Sequence, residues 1–203
     1  MEKSEKKSAR TLNPEKISAN REKILTTALT LFTSRGFSGT PTSLISKEAG
    51  VSTGTLFFYF KTKEELIDTL YRRIKEEAAK EMCRGMDKQK TTKAKIWLLG
   101  TNVVEWSIRN HAKLKFMEQF AHSPFVSTSA HEEGMSNFLF LSDLMKDGIR
   151  EGAIRNIDPT LLLSILASAL TGLVARASEI EDPDEREKIV QDGLDFIWNG
   201  MKT

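Results

Sequence analysis

The chain has one cysteine, Cys83, and three histidines in 203 residues. A lone cysteine excludes an intramolecular disulfide and fits a reducing cytosol. His111, His122 and His131 match neither HExxH nor any short metal-ligand spacing. There is no P-loop, no GxGxxG, and no serine or cysteine in a nucleophile motif, so the pattern points to no enzyme, no metal and no cofactor. A thiol sensor built on Cys83 would lack a resolving partner, and a structural cysteine is the simpler reading. Long apolar runs are also missing. The longest, LLLSILASALTGLVA at 161–175, falls short of the ~20 residues that cross a bilayer, and Asp158 and Arg176 bracket it. It reads as a buried helix, with no membrane partner. The first residues, MEKSEKKSARTLN, are polar throughout, unlike a signal peptide, and the expected location is cytoplasmic.

What is present is helix periodicity and helix punctuation. Asn13–Pro14 reads as a cap followed by proline at the first helical position. Ile17, Ile24, Leu25, Ala28, Leu31 and Phe32 then form one stripe, which Gly36 ends. Thr40–Pro41 repeats the start signal, with Thr40 in the capping role, and opens a short helix that stops at Ala49–Gly50. A second short helix follows Ser52 and closes near Phe60, and a longer one runs from Lys63 to about Arg84. Further helices are expected at 91–110, 112–121, 132–151, 158–179 and 184–201. The fold class is all-α, with about nine helices. Residues 1–13 form a charged arm, 14–62 an N-terminal three-helix domain and 63–203 a C-terminal helical domain.

The formal net charge of +2 conceals an asymmetry. Residues 1–75 hold 14 Lys/Arg against 8 Asp/Glu, a net of +6, and the remainder holds 16 against 20, a net of −4. A basic N-terminal third suggests a polyanion partner at that end.

The stretch TPTSLISKEAGVSTGTLFFYFKTKEEL sharpens that suggestion. Two short helices either side of Gly50–Val51–Ser52 make a helix-turn-helix, whose second helix can enter a DNA major groove. Successive residues step ~100° around a helix, which sorts the rings of FFYF. Leu56 and Phe60 share the inward stripe, Phe57 and Tyr59 lie on opposite flanks, and Phe58 points outward with Gly54 and Thr55. Ser52 and Thr53 stand at the exposed start. Small groups, hydroxyls and one ring suit base edges and thymine methyls. Lys63, opening the next helix, is placed to meet a phosphate. Phe58 is expected to touch DNA and Phe57 to pack.

These residues resemble the DNA-binding signature of the TetR family of one-component transcriptional regulators. The resemblance covers about residues 17–75 and rests on AGVS-x-GTL-x-x-YF-x-x-KEEL. It implies a homodimeric all-α repressor, with a C-terminal ligand-binding and dimerisation domain, bound to a double-stranded DNA operator and released by a small-molecule effector. It further implies phosphate contacts from Thr42, Thr55, Tyr59 and Lys63, and positions at or near bases for Ser43, Ser52, Thr53 and Phe58. Two departures stand out: Phe57 replaces a frequent tyrosine, and Pro41 replaces a frequent Thr or Ser cap. A regulator without a small-molecule effector, controlled by a protein partner or constitutive, is the rival reading.

Helix 158–179 is apolar around most of its circumference and must be covered on both sides. Leu163, Leu166, Leu170 and Val174 there, with Leu194, Ile197, Trp198 and Met201 on the last helix, are the expected dimer interface. Ala167, Ser168, Ala169 and Gly172 would allow close helix approach. Trp97, Trp106, Phe116, Phe120, Phe138 and Met145 are candidate effector-pocket residues, as apolar pockets use such side chains. Asn102, Glu105 and His122 are polar candidates for orienting a ligand.

Overall fold

The computed structural model describes residues 14–121 and 123–203, with side chains from Ser18 onward. The arm 1–13, the Asn13 cap, the Ile17 side chain and His122 lie outside the described residues. Among the described residues there are ten α-helices and no strand. They are α1 (Pro14–Arg35), α2 (Thr42–Glu48), α3 (Thr53–Tyr59), α4 (Lys63–Met82), α5 (Thr92–Arg109), α6 (His111–Phe120), α7 (Thr128–Ser136), α8 (Leu139–Arg150), α9 (Pro159–Ser178) and α10 (Pro183–Met201). The chain divides into two compact units, the first ending at Ile67 and the second running Asp68–Thr203. The division falls inside α4, a few residues beyond the boundary expected at 62/63, so α4 belongs to both units.

The first unit is built on the α1 stripe. Ile24, Leu25, Ala28, Leu31 and Phe32 are buried and α1 packs on α2 and α3, where Ile45, Ala49 at the end of α2, Leu56 and Phe60 are buried too, as are Leu66 and Ile67 of α4. Each of the Ile, Leu and Phe side chains among them contributes about 1.5–3 kcal/mol by leaving water, so this small set suffices to hold two seven-residue helices that would not persist alone. The turn between α2 and α3 needs Gly50, whose φ is +65°. Gly50 N donates to Lys47 O, and Val51 N to Ser46 O at 3.0 Å, which ends α2 within one residue.

Thr40 does not cap α2. Pro41 occupies the cap position with no side-chain bond, while the buried Thr40 hydroxyl lies 2.7 Å from Gly36 O and 3.2 Å from Leu31 O. The hydroxyl turns back because Gly36 lies just beyond the last turn of α1, where its carbonyl has no helical donor.

In the second unit α9 is central. Leu162, Leu166, Leu170, Leu173, Val174 and Ala177 are buried, and α5, α8 and α10 pack around them with Leu99, Val104, Met145, Leu194 and Trp198. At 20 residues, α9 is long and apolar enough by length and composition to cross a membrane, which the count over 161–175 missed. Its other side, with Leu161 and Ile165, is exposed, so the expected covering on both sides is not present within one protomer.

The single helix expected over 132–151 is two helices. Ser127 caps α7, accepting from Ala130 N at 3.1 Å, and is pinned to α4 through its own N–H and hydroxyl to the Asp68 carboxylate, at 2.8 and 2.5 Å. Asn137 then closes α7 by donating from Nδ2 to Glu133 O and Gly134 O. Phe138 leaves helical geometry at φ −108°, ψ 7° before α8 begins.

Replacing Gly50 with alanine puts a Cβ at a left-handed φ, which costs ~1–2 kcal/mol. Gly50→Ala should therefore lower the urea midpoint by that amount of stability; an unchanged midpoint would mean the turn can relax to a right-handed conformation.

Candidate nucleic-acid interface and effector cavity

Hydroxyls organise the helix-turn-helix. Ser52 caps α3, its Oγ accepting from Thr55 N at 3.0 Å and lying 2.8 Å from Thr55 Oγ1. The buried Ser46 of α2 donates to or accepts from Thr53 Oγ1 at 3.2 Å, which fixes the start of α3 against α2. Ser43, Ser52, Thr53 and Gly54 are exposed, and Thr42 and Thr55 are half-buried. Neither α2 nor α3 carries an acid in its first turn, so no carboxylate there opposes a polyanion.

The ring run resolves largely as the angular sort predicts. Leu56 and Phe60 are buried, and Phe58 is 55% exposed. Tyr59 is half-buried and meets the Phe58 ring edge-on at 5.1 Å. Phe57, expected to pack, is only partly covered: it is 39% exposed, on a flank of a seven-residue helix.

Thr62 and Glu65 start α4. Glu65 N donates to Thr62 Oγ1 at 3.0 Å, and Glu65 Oε2 accepts from Lys61 N at 2.6 Å. Lys63 Nζ donates to Phe37 O at 2.6 Å and sits 4.0 Å from the centre of the Phe37 ring. Burial lowers its pKa, with the adjacent Glu64 carboxylate acting against the shift. One ammonium proton is thus taken by the protein, leaving two for a phosphate. Lys61, which the sequence pattern did not single out, is exposed, with Nζ 3.4 Å from Phe57 O. Its position just past the end of α3 was the available signal, since cations gather there.

The second unit holds a cavity of about 730 Å³ between α4, α5, α7, α8 and α9, lined by Lys75, Met82, Met135, Phe138, Leu139, Leu163 and Leu166 among others. A smaller one of about 210 Å³ shares Lys75, Met82, Phe138, Ala167 and Leu170 and reaches Trp106, Leu114 and Met117. The walls are chiefly apolar, and Leu139 at the edge is 67% exposed. Gly134 lets α7 lie close to α4 here: a Cβ would stand 2.8 Å from the Tyr71 ring and 3.2 Å from Lys75 Cγ.

Of the candidate pocket residues, Phe138 and Trp106 line these cavities. Trp106 also donates from Nε1 to Glu77 Oε1 at 3.3 Å. The others do not line them. Phe116 and Phe120 are buried and stacked at 4.7 Å, Met145 is buried in the α9 core, and Trp97 sits in a separate surface groove under Lys93. Asn102 is spent on Met82 O and Arg84 O, at 3.1 and 2.9 Å, and the exposed Glu105 pairs with Arg84 and Arg109. Cys83 is half-buried, and burial raises its thiol pKa, which disfavours the reactive thiolate.

The residues expected at a dimer interface face inward. Leu166, Leu170, Val174, Leu194, Ile197, Trp198 and Met201 are buried within one protomer, and Leu163 packs beside them and lines the larger cavity. On the same helices the exposed residues include Leu161, Ile165, Ser168 and Gly172 of α9 and Phe196 of α10. Ile165 is 56% exposed and Phe196 81%.

Residues 24–70 match the family model for bacterial regulatory proteins of the tetR family, and residues 66–203 match the one for the tetracyclin repressor-like C-terminal domain. The HTH-type transcriptional regulator YhgD of Bacillus subtilis is 25% identical over 179 residues, covering 85% of this chain and 92% of YhgD. A TetR family transcription regulator from Shewanella sp. PV-4 superposes with a TM-score of 0.80 at 26% identity, covering 91% of this chain and 98% of its own. FadR from Bacillus subtilis, solved in complex with stearoyl-CoA, superposes with a TM-score of 0.72 at 20% identity, covering 88% and 98%. Such relatives are regulators and not enzymes.

Two large apolar side chains on opposite faces of α3 should separate by stability. Leu56→Ala, at a fully buried site, should cost ~2–5 kcal/mol, whereas Phe58→Ala on the open face should stay within ~0.5 kcal/mol. Urea unfolding of both variants checks the pair, and equal losses would contradict the assigned faces.

Proposed function

This chain belongs to the TetR family of bacterial regulatory proteins, and on that premise we propose a cytoplasmic transcriptional repressor that grips an operator as a homodimer and releases it when an apolar small molecule enters the second unit. The observation that carries the effector part is the cavity of about 730 Å³, within the ~300–1,000 Å³ of small-molecule sites. It favours a ligand-controlled regulator over one governed by a protein partner alone. FadR, whose structure holds stearoyl-CoA, supports an apolar-tailed ligand for this fold.

One recognition helix of seven residues gives little affinity without a second half-site. Two copies of α3 in successive major grooves, ~34–36 Å apart, supply it. Thr42, Thr55, Tyr59 and Lys63 hold phosphates, while Ser43, Ser52, Thr53, Gly54 and Phe58 face bases. The partner covers the free side of α9. Leu161, Ile165, Ser168 and Gly172 follow the four-three-four spacing of a helix-pairing seam, and Cβ atoms on Gly172 and on Gly200 of α10 would meet nothing within 4 Å. Phe196 extends the same apolar offer. Ligand binding shifts α4, the helix common to both units, and so changes the distance between recognition helices. Effector and operator then weaken each other by one factor.

Thr55→Ala combined with Tyr59→Ala should weaken operator binding while the unfolding curve stays near wild type; unchanged affinity removes their phosphate role. Lys63→Ala should reduce affinity on all sequences and lower the salt slope by about one. Ile165→Asp with Phe196→Glu should give a sedimentation mass of a single chain, and a persisting dimer would place the interface elsewhere.

A further inference from the structure

We propose that the cavity selects an amphiphile with a carboxylate head, which binds Lys75, and an apolar tail, which fills the larger chamber towards α8 and α9. The proposal rests on the reading of this cavity as the effector site and adds the chemistry of the ligand.

Lys75 stands on the apolar face of α4, four residues after Tyr71 and four before Ala79, both buried. It lines both chambers, together with Phe138. Its Nζ lies 5.2 Å from the Phe138 ring centre, 5.6 Å from that of Tyr71 and 3.8 Å from Met135 Sδ. No carboxylate lies within ion-pair distance of it among the described residues. The ammonium is therefore held at the junction of two apolar chambers by ring faces and a thioether, none of which carries a negative charge. Burial lowers its pKa, as desolvation without a counter-ion does.

Ring faces stabilise a cation only partly. A carboxylate arriving there forms a charge-assisted hydrogen bond in a half-buried site, where such bonds are stronger than in open water. The remaining charged groups at the walls are Glu132 in the larger chamber and Glu118 in the smaller. Both are exposed and keep their hydration, so neither gains comparably from a ligand of opposite charge. The tail requirement follows from the balance of the walls: Met82, Met135, Leu139, Leu163 and Leu166 are apolar, and of the four hydroxyls among them those of Ser136 and Ser164 already donate to Glu133 O and Thr160 O. The head is thus read by a single charge at a neck, and tail length by the chamber beyond it.

The test uses three single-chain probes of equal length below their aggregation concentrations: dodecanoate, dodecanol and dodecyltrimethylammonium. Binding to the full-length wild type and to Lys75→Met is measured by calorimetry, with Lys75→Arg as the charge-retaining control. Dodecanoate should bind wild type about ten- to a hundredfold more tightly than dodecanol, the range for a charge-assisted bond. That preference should vanish in Lys75→Met and persist in Lys75→Arg, while dodecanol affinity barely changes. Equal binding of acid and alcohol to wild type overturns the head-group assignment and leaves the cavity as an effector site; this comparison stands even if Lys75→Met fails to fold. Tightest binding by the ammonium probe overturns it in favour of the wall carboxylates. Binding by none of the three overturns the effector-site reading itself.

Discussion

The burial of one side of α9 is the constraint on which the second unit depends. Leu162, Leu166, Leu170 and Val174 present a continuous apolar stripe that α5, α8 and α10 must cover. Three helices suffice for that side, and α10 and α5 approach closely where Leu194 faces Gly100, a Cβ on which would collide with it. The same arrangement leaves two consequences. Towards α4 and α7 the packing does not close, and the gap is the cavity. On the opposite side Leu161 and Ile165 remain in water.

The first unit solves a different problem. Two seven-residue helices have too few backbone bonds to stand alone, so local side-chain bonds hold them. The Ser46–Thr53 and Ser52–Thr55 hydroxyl contacts and the Gly50 turn fix α3 against α2, while Leu56 and Phe60 anchor it from beneath. Every apolar side chain committed to this anchoring is unavailable to DNA, and what is left outward is small and polar except for Phe57 and Phe58. The proposed recognition surface is the remainder of a stability requirement.

The helix-turn-helix was legible because its signals are local. Gly50, the Ser52 cap and the Leu56–Phe60 stripe act within one or two turns of where they stand. Features set by distant residues were not. The start of α7 depends on Ser127 meeting Asp68, 59 residues earlier, which no window of sequence contains. Thr40 looked like a cap from its neighbour Pro41, yet the carbonyls at the end of α1 claimed it. Phe57 lay on a flank whose covering the period leaves open. Lys75 could have been noticed, as a charge on the stripe of Tyr71 and Ala78, but its surroundings of rings and sulfur come from α7 and Phe138.

The same division separates the dimer and cavity assignments. An apolar residue announces that it will leave water, and its angle announces which neighbours on its own helix leave with it. Those two facts determined the helices apart from the α7–α8 break, the turn, the inward stripe of α3 and the all-round apolarity of α9 from the amino acids alone. Whether Leu166 met α5 and Ile165 met nothing, and whether Trp106 lined a cavity while Phe116 filled a core, was decided only by the tertiary structure. The physical reason is that burial energy is non-directional: it rewards any cover equally, and only the assembled helices say which cover arrives.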